Sequence, residues 1–261
     1  MSLSPDGRYV FTLRERLQEH HAMPPPGQIA NDDDASFVEQ VITIYDSSTG
    51  RFLNGPVSTF LPGVTGYQLL PSSEPESFEI LEFDPSIRLL RYRIAGGGAQ
   101  NGVALSELEA PKSDAQVIRD PANARTLLVR TDGMVIEVAA RLRQIGAVIP
   151  LAPGRRMYSP ALSGDGKLLF IPTGPTKNTA VRFAPFFYID QIDVYEASGL
   201  TRLRSLRSQR PLLEVVPNQD GSILYAAIPD RRSVVVLNSE SLWQEEEHLT
   251  ESAIHHIVLL P

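Results

Sequence analysis

Any chemistry in this chain has to come from a few clusters of charged and aromatic residues. The familiar catalytic signatures are missing: there is no Gly-x-Ser-x-Gly elbow and no His-Glu-x-x-His helix. His20-His21 has zinc-ligand chemistry, but no third ligand follows at a usable spacing, so a surface pair is the plainer reading. Asp32-Asp33-Asp34 offers the hard oxygens that calcium prefers. The spaced ligands and glycine of an EF-hand loop are absent, and a solvated loop is the plainer reading. Lys112, Arg155, Arg156 and Arg210 fall in successive connections and together suit a ligand with carboxylate or phosphate groups. Scattered surface cations are the alternative. Arg182-Phe183-Ala184-Pro185-Phe186-Phe187-Tyr188 reads either as a partner-binding patch or as a plug packed on its own sheet. Glu214 and Asp114 are the acids best placed on inner strands, and His255 and His256 alternate across a last strand. Packing or hydrogen bonding is the plainer role for both histidines. Gly96-Gly97-Gly98-Ala99-Gln100-Asn101-Gly102 lacks the Lys-Ser/Thr of a phosphate loop and reads as a flexible turn. No catalytic residue, metal site or cofactor is expected.

These residues must be positioned by a repeat. Ser4-Pro5-Asp6-Gly7-Arg8-Tyr9-Val10-Phe11 returns as Ser163-Gly164-Asp165-Gly166-Lys167-Leu168-Leu169-Phe170, and again as Asn218-Gln219-Asp220-Gly221-Ser222-Ile223-Leu224-Tyr225. An Asp-Gly turn entering an aromatic, β-branched run is a hairpin signal, and its recurrence is a repeat signal. A second phrase follows each copy. It is Val41-Ile42-Thr43-Ile44-Tyr45-Asp46 before Ser-Ser-Thr-Gly, then Gln191-Ile192-Asp193-Val194-Tyr195-Glu196, then Val234-Val235-Val236-Leu237-Asn238. Together they describe a unit of four antiparallel strands, a to d, which is a β-propeller blade. Two further units, around Phe78–Leu105 and Ala115–Val148, lack the Asp-Gly turn but keep the rhythm. The expectation is an all-β, single-domain propeller over residues 1–261, with about five blades at roughly 40–45 residues each.

The N-terminus begins on a strand b with no strand a before it, whereas Ile254–Leu260 reads as a strand a with no partner. Pairing the two would close the ring and remove an exposed sheet edge. A truncated array of a larger propeller is the rival reading. Two b–c connections are long, at about residues 15–39 and 173–188, and should project from the top face beside the d–a connections. Long loops on a rigid scaffold are where binding usually resides. Arg202 and Arg204 read as solvent-facing on an outer strand, and Glu245-Glu246-Glu247 as a charged guard on a sheet edge.

The phrases Ser-Pro-Asp-Gly-Arg-Tyr-Val-Phe and Ile-Tyr-Asp-Ser-Ser-Thr-Gly resemble the WD40-like and YVTN-type bacterial propellers. The likeness covers most of the chain and implies fold. The Trp-Asp dipeptide and Gly-His pair of true WD40 repeats are missing, and Trp243 is followed by Gln244. Such families include scaffolds, sugar-lactone hydrolases and quinoprotein dehydrogenase subunits, so the likeness leaves function open.

Composition bounds the rest. The chain has 42% hydrophobic and 21% charged residues, ordinary values for a globular domain. A net charge of −7 argues against sequence-independent nucleic-acid binding. No apolar run reaches a bilayer-spanning length, and with the repeat starting almost at once the chain reads as a mature or trimmed product. With no cysteine, disulfides and thiolate chemistry are excluded, and cytoplasm and oxidising compartments stay equally open. The expected function is a non-catalytic binding or assembly scaffold. Its top-face loops (Arg155, Arg156, Arg210, Lys112, Phe183, Phe186 and Phe187) would meet a protein partner or a small anionic ligand. The alternative is a propeller enzyme, or a subunit of one, acting at the channel mouth.

Overall fold

A computed structural model describes residues 2–4, 6–18, 37–53, 57–59, 67–72, 74–83, 86–95, 98–99, 102–110, 113–120, 125–139, 141–176, 188–228, 232–250, 254 and 257. Its regular structure is all strand, in five antiparallel sheets. The first joins β1 (Ser2–Leu3), β2 (Tyr9–Gln18), β3 (Phe37–Asp46) and β4 (Val57–Thr59) in that order. The second joins β5 (Tyr67–Pro71), β6 (Ser77–Glu82) and β7 (Ile87–Ala95); both β8 (Gly98–Ala99) and β9 (Val103–Leu108) pair with β7. The third runs β10 (Ala115–Arg119), β11 (Thr126–Arg130), β12 (Met134–Val138), β13 (Leu142–Ala147). In the fourth, β14 (Arg155–Met157) and β15 (Ala161–Leu162) share one side of β16 (Leu168–Pro175), followed by β17 (Ile189–Glu196) and β18 (Arg202–Leu212). The fifth runs β19 (Glu214–Pro217), β20 (Ile223–Ile228), β21 (Ser233–Asn238), β22 (Gln244–Leu249).

The chain divides into two compact units, residues 1–112 and 113–261. In the first, Phe11, Ile42 and Ile44 of one sheet pack with Leu69, Phe78, Ile80 and Tyr92 of the next. In the second, one core joins the third sheet to the fourth through Leu127, Val129, Leu169 and Ile171. Another joins the fourth to the fifth through Phe170, Ile192, Leu224 and Val235. Strands β10, β15 and β19 lie side by side in succession.

The repeated phrases are repeated geometry. Ser4 Oγ donates to Asp6 Oδ1 at 2.6 Å and accepts from the Tyr9 amide at 3.0 Å. Ser163 makes the same pair of bonds to Asp165 (2.7 Å) and Leu168 (3.0 Å). In the last copy, the Asn218 side chain accepts from the Ile223 amide at 3.1 Å. Gly7, Gly166 and Gly221 all sit near φ +70°, which explains why each turn ends its Asp-Gly pair on glycine. These bonds to the ionised carboxylate hold Asp165 at about 2, with Ser163 the largest cause.

A second turn type recurs between the third and fourth strands. The amides of Gly50, Leu200 and Leu242 return to the carbonyls of Asp46, Glu196 and Asn238. All three occupy positive φ, although two are leucines. Leu200 is only 5% exposed and packs in the core of the second unit. The left-handed backbone costs about 1–2 kcal/mol, whereas losing a buried leucine side chain costs about 2–5 kcal/mol. Leu200→Gly should therefore destabilise despite relieving the backbone, which a urea melt will read. Equal or greater stability would show that the strain outweighs the packing.

Several expectations need correction. A short strand does precede the first Asp-Gly turn: β1 pairs Ser2 with Phe11 and Leu3 with Val10. Its two residues carry no turn chemistry of their own, so nothing in composition marked them. The third sheet does have an Asp-Gly turn, Asp132-Gly133, but it joins β11 to β12 rather than β10 to β11. The long connections are shorter than expected, because β2 runs to Gln18, β3 starts at Phe37, and β16 runs to Pro175. Pairing continues while both strands still have partners, whatever the repeat length. The centres of both insertions, including His20-His21, Asp32–Asp34, Phe183, Phe186 and Phe187, lie outside the described residues. So does most of Ile254–Leu260. Its Ile257 is not in a strand, and the Ile257 amide donates to Glu214 Oε2 at 2.7 Å, beside β19.

Candidate functional site

The expected cationic set is only partly assembled. Lys112 lies outside the described residues. Arg155 and Arg156 sit in β14, and Arg210 sits within β18, so none of the three is in a loop. Register places them at one end of the fourth sheet: Arg155 opposes Pro175 at the end of β16, and Leu212 opposes Ile189 at the start of β17. However, β14 and β18 are opposite edges of that sheet. Three strand spacings, about 14 Å, separate them, which is too far for one small anion to bridge. Arg155 is also spent locally. It forms an ion pair with Asp190 and donates to Thr173 Oγ1 at 2.9 Å. Arg156 lies over the Tyr158 ring, 5.8 Å from its centroid.

Arg210 instead faces a cleft of about 280 Å³ between the fourth and fifth sheets, inside the second unit. The rim carries Arg207, Arg210, Trp243 and Gln244, and the floor carries Leu212, Ile228, Val235 and Leu237. The floor is buried because those residues belong to the core joining the two sheets. The rim is presented by two local features. A register irregularity between Ile189 and Gln191 of β17 lets Ser208–Pro211 of β18 swing out of regular pairing. The Asn238–Trp243 turn, closed by Asn238 N to Trp243 O at 2.9 Å, lifts the indole clear of the sheet. Trp243 is 73% exposed. Arg210 Nη1 donates to Gln244 Oε1 at 3.1 Å, and the nearest carboxylate, Glu247, is 4.0 Å away. Glu247 already accepts from Ser233 at 2.8 Å and Gln244 at 3.1 Å.

Arg207 and Trp243 were missed as site residues. The available signal was an arginine-rich outer strand and a tryptophan just past a turn, where a core role is hardest to fulfil. Of the expected solvent-facing pair, Arg202 does bind across its own sheet to Asp193 at 2.8 Å, whereas Arg204 reaches Ser239 O at 3.1 Å and is half-buried. Glu245–Glu247 stand on β22, the last strand of the fifth sheet, as expected of a guarded edge.

Two other titratable places stand out. A shallow recess of about 310 Å³ is lined by Arg125, Asp165, Lys167, Glu196 and Ser198. Lys167 pairs there with Asp165 at 2.9 Å, Arg125 pairs with Asp120 at 3.1 Å, and Glu196 accepts from Ser198 at 3.1 Å. In the first unit, Glu82 is 1% exposed. Arg88 Nη2 approaches it to 2.6 Å, yet neither carboxylate oxygen accepts a hydrogen bond of normal geometry. Burial raises its pKa above the ordinary glutamate value, the Arg88 charge opposing. A carboxyl whose folded pKa is raised stabilises at low pH, and that contribution is lost as pH climbs through the folded value. Glu82→Gln should therefore raise the melting temperature more at neutral pH than near the ordinary glutamate pKa. A pH-independent difference would show that Arg88 fully compensates the buried charge. Among the described residues, no group of three or more His, Asp or Glu could hold a metal, and no helix is long and apolar enough to cross a membrane.

No protein-family model matches this chain, and no curated protein matches it either.

Proposed function

We propose that the protein is a non-catalytic binding scaffold of β-propeller type, whose recognition surface includes the cleft between the fourth and fifth sheets. The observation that carries this reading is the composition of the cleft: an apolar floor beneath an exposed indole and two arginines. Tryptophan and arginine are the residues most enriched where binding energy concentrates. The cleft pairs no base with a nucleophile, so its residues suit recognition rather than acid–base work. In this reading the five sheets are blades of one ring. Support comes from five successive antiparallel sheets of four or five strands, from the succession of β10, β15 and β19, and from the position of Ile257 beside β19.

Selection from a random-peptide display library tests the reading. The wild-type protein should enrich a defined set of sequences, and Trp243→Ala combined with Arg207→Ala should lose that set. Both changes are at exposed positions, so folding should survive, as thermal melts will verify. No enrichment, or enrichment indifferent to the two substitutions, would remove the cleft as the recognition surface.

A further inference from the structure

The same cleft says what kind of partner it fits. β18 carries Arg202, Arg204, Arg207 and Arg210, and no acidic residue. Arg202 and Arg204 are committed to Asp193 and Ser239. Arg207 is exposed and makes no ion pair or side-chain hydrogen bond among the described residues, while Arg210 donates to the uncharged Gln244 and pairs at 4.0 Å with Glu247. Glu247, 4.0 Å from Arg210, offsets one of the two rim charges, so the positive charge left over is that of Arg207. A cavity of about 280 Å³ is just below the size that encloses a drug-sized molecule. It has room for one large side chain. β18 is also the last strand of its sheet, so over Arg202–Arg207 its outer backbone edge pairs with no described strand, whereas the Arg210 amide and carbonyl are taken by Ser208 Oγ and Pro211 has no N–H. Unpaired edge amides and carbonyls are a template for an added strand.

We propose that the cleft receives an extended peptide segment in which a large apolar residue stands beside an acidic one. The segment runs along β18, the apolar side chain rests between Trp243 and the apolar floor, and the carboxylate meets Arg207 and Arg210. This rests on the binding-scaffold reading and adds the chemistry of the partner. An added strand supplies the backbone bonds, the arginines supply charge-assisted ones, and the alternation of strand side chains sets which residue enters the cleft.

The experiment uses the full chain and its single tryptophan as the reporter. Emission is followed while adding a blocked peptide that alternates leucine with aspartate. Its leucine–asparagine and leucine–lysine counterparts are added in parallel, with 4-phenylbutyrate as a free amphipathic carboxylate. The aspartate peptide should give a saturable blue shift and bind at least about tenfold more tightly than the asparagine peptide, as expected for a hydrogen bond to a charged group. Arg207→Gln should weaken it by a similar factor, and because the Arg207 side chain makes no ion pair or hydrogen bond among the described residues this variant should keep its melting temperature. Equal binding of the aspartate and asparagine peptides would overturn the proposal, as would tighter binding of the lysine peptide. So would phenylbutyrate matching the aspartate peptide, which would mean a free small molecule and no strand addition. An emission shift on raising protein concentration alone would assign the cleft to a second copy and also overturn it. If display selection enriches neutral or basic sequences that depend on Trp243, the scaffold reading stands and this inference falls.

Discussion

Replacing Phe78 with alanine is expected to cost about 3–5 kcal/mol of unfolding free energy. Phe78 is fully buried on β6. Its ring stacks on Tyr92 at 5.2 Å with planes 2° apart, and meets Phe11 at 4.8 Å. Phe11 belongs to the first sheet, so the three rings are the contact through which the two sheets of that unit share a core. Truncation leaves a cavity bounded by two rigid rings and by strands paired on both sides, which limits collapse into the space. Gly102 adds to the rigidity, since a Cβ there would lie 2.5 Å from the Tyr92 ring. The control is Phe52→Ala. Phe52 is 46% exposed and touches Tyr45 edge-on at 6.0 Å, so its loss should cost no more than about 1.5 kcal/mol. Urea midpoints of the two variants decide the matter. Similar small losses would mean the sheets of the first unit are not held by this stack.

Gly174→Val should be the most damaging change near the fourth sheet's arginine-bearing end. Gly174 pairs with Arg156 of β14. A Cβ at this position would overlap the carbonyl oxygen of Tyr188 and approach Tyr158 Cε2 to 3.0 Å. The first obstacle is backbone leading directly into β17, and it cannot swing aside as a side-chain tip can. The substitution must push β16 and β17 apart where they begin to pair. Overpacking of this kind costs about 1–3 kcal/mol, and the upper end is expected because the obstacle is rigid. Gly154→Ala separates sterics from conformation. It has open space around its would-be Cβ but φ of +78°, so it should lose only the left-handed cost of about 1–2 kcal/mol. Gly174→Val melting like the wild type would mean that the Tyr188 carbonyl can move away from β16 at no cost.

The sheets were legible in the residues because their causes are local. Asp6-Gly7, Asp165-Gly166 and Asp220-Gly221 each specify a turn through one carboxylate and one positive φ, and the runs after them alternate with the strand period. The same locality made Glu245–Glu247 readable as a charged edge. Legibility failed where pairing was decided by the partner strand. Ser2-Leu3 is a strand only because Val10 and Phe11 offer an open edge, and Asp132-Gly133 turns between a different pair of strands from its three counterparts. Leu200 and Leu242 occupy left-handed turn positions where Gly50 stands in the first sheet, since neighbouring sheets supply cores that reward a leucine there.

The candidate site divides along the same line. Residue types alone nominated the arginines and proposed an anionic ligand or a protein partner. They grouped Arg155, Arg156 and Arg210 by their place in the repeat, and repeat position carries no information about distance across a sheet. Only the tertiary structure put β14 and β18 on opposite edges, consumed Arg155 on Asp190, and left Arg207 and Arg210 beside Trp243 over a floor shared by two sheets. A turn needs a few consecutive residues, whereas a cleft needs two sheets packed face to face, and that packing is set by long-range burial of their apolar faces.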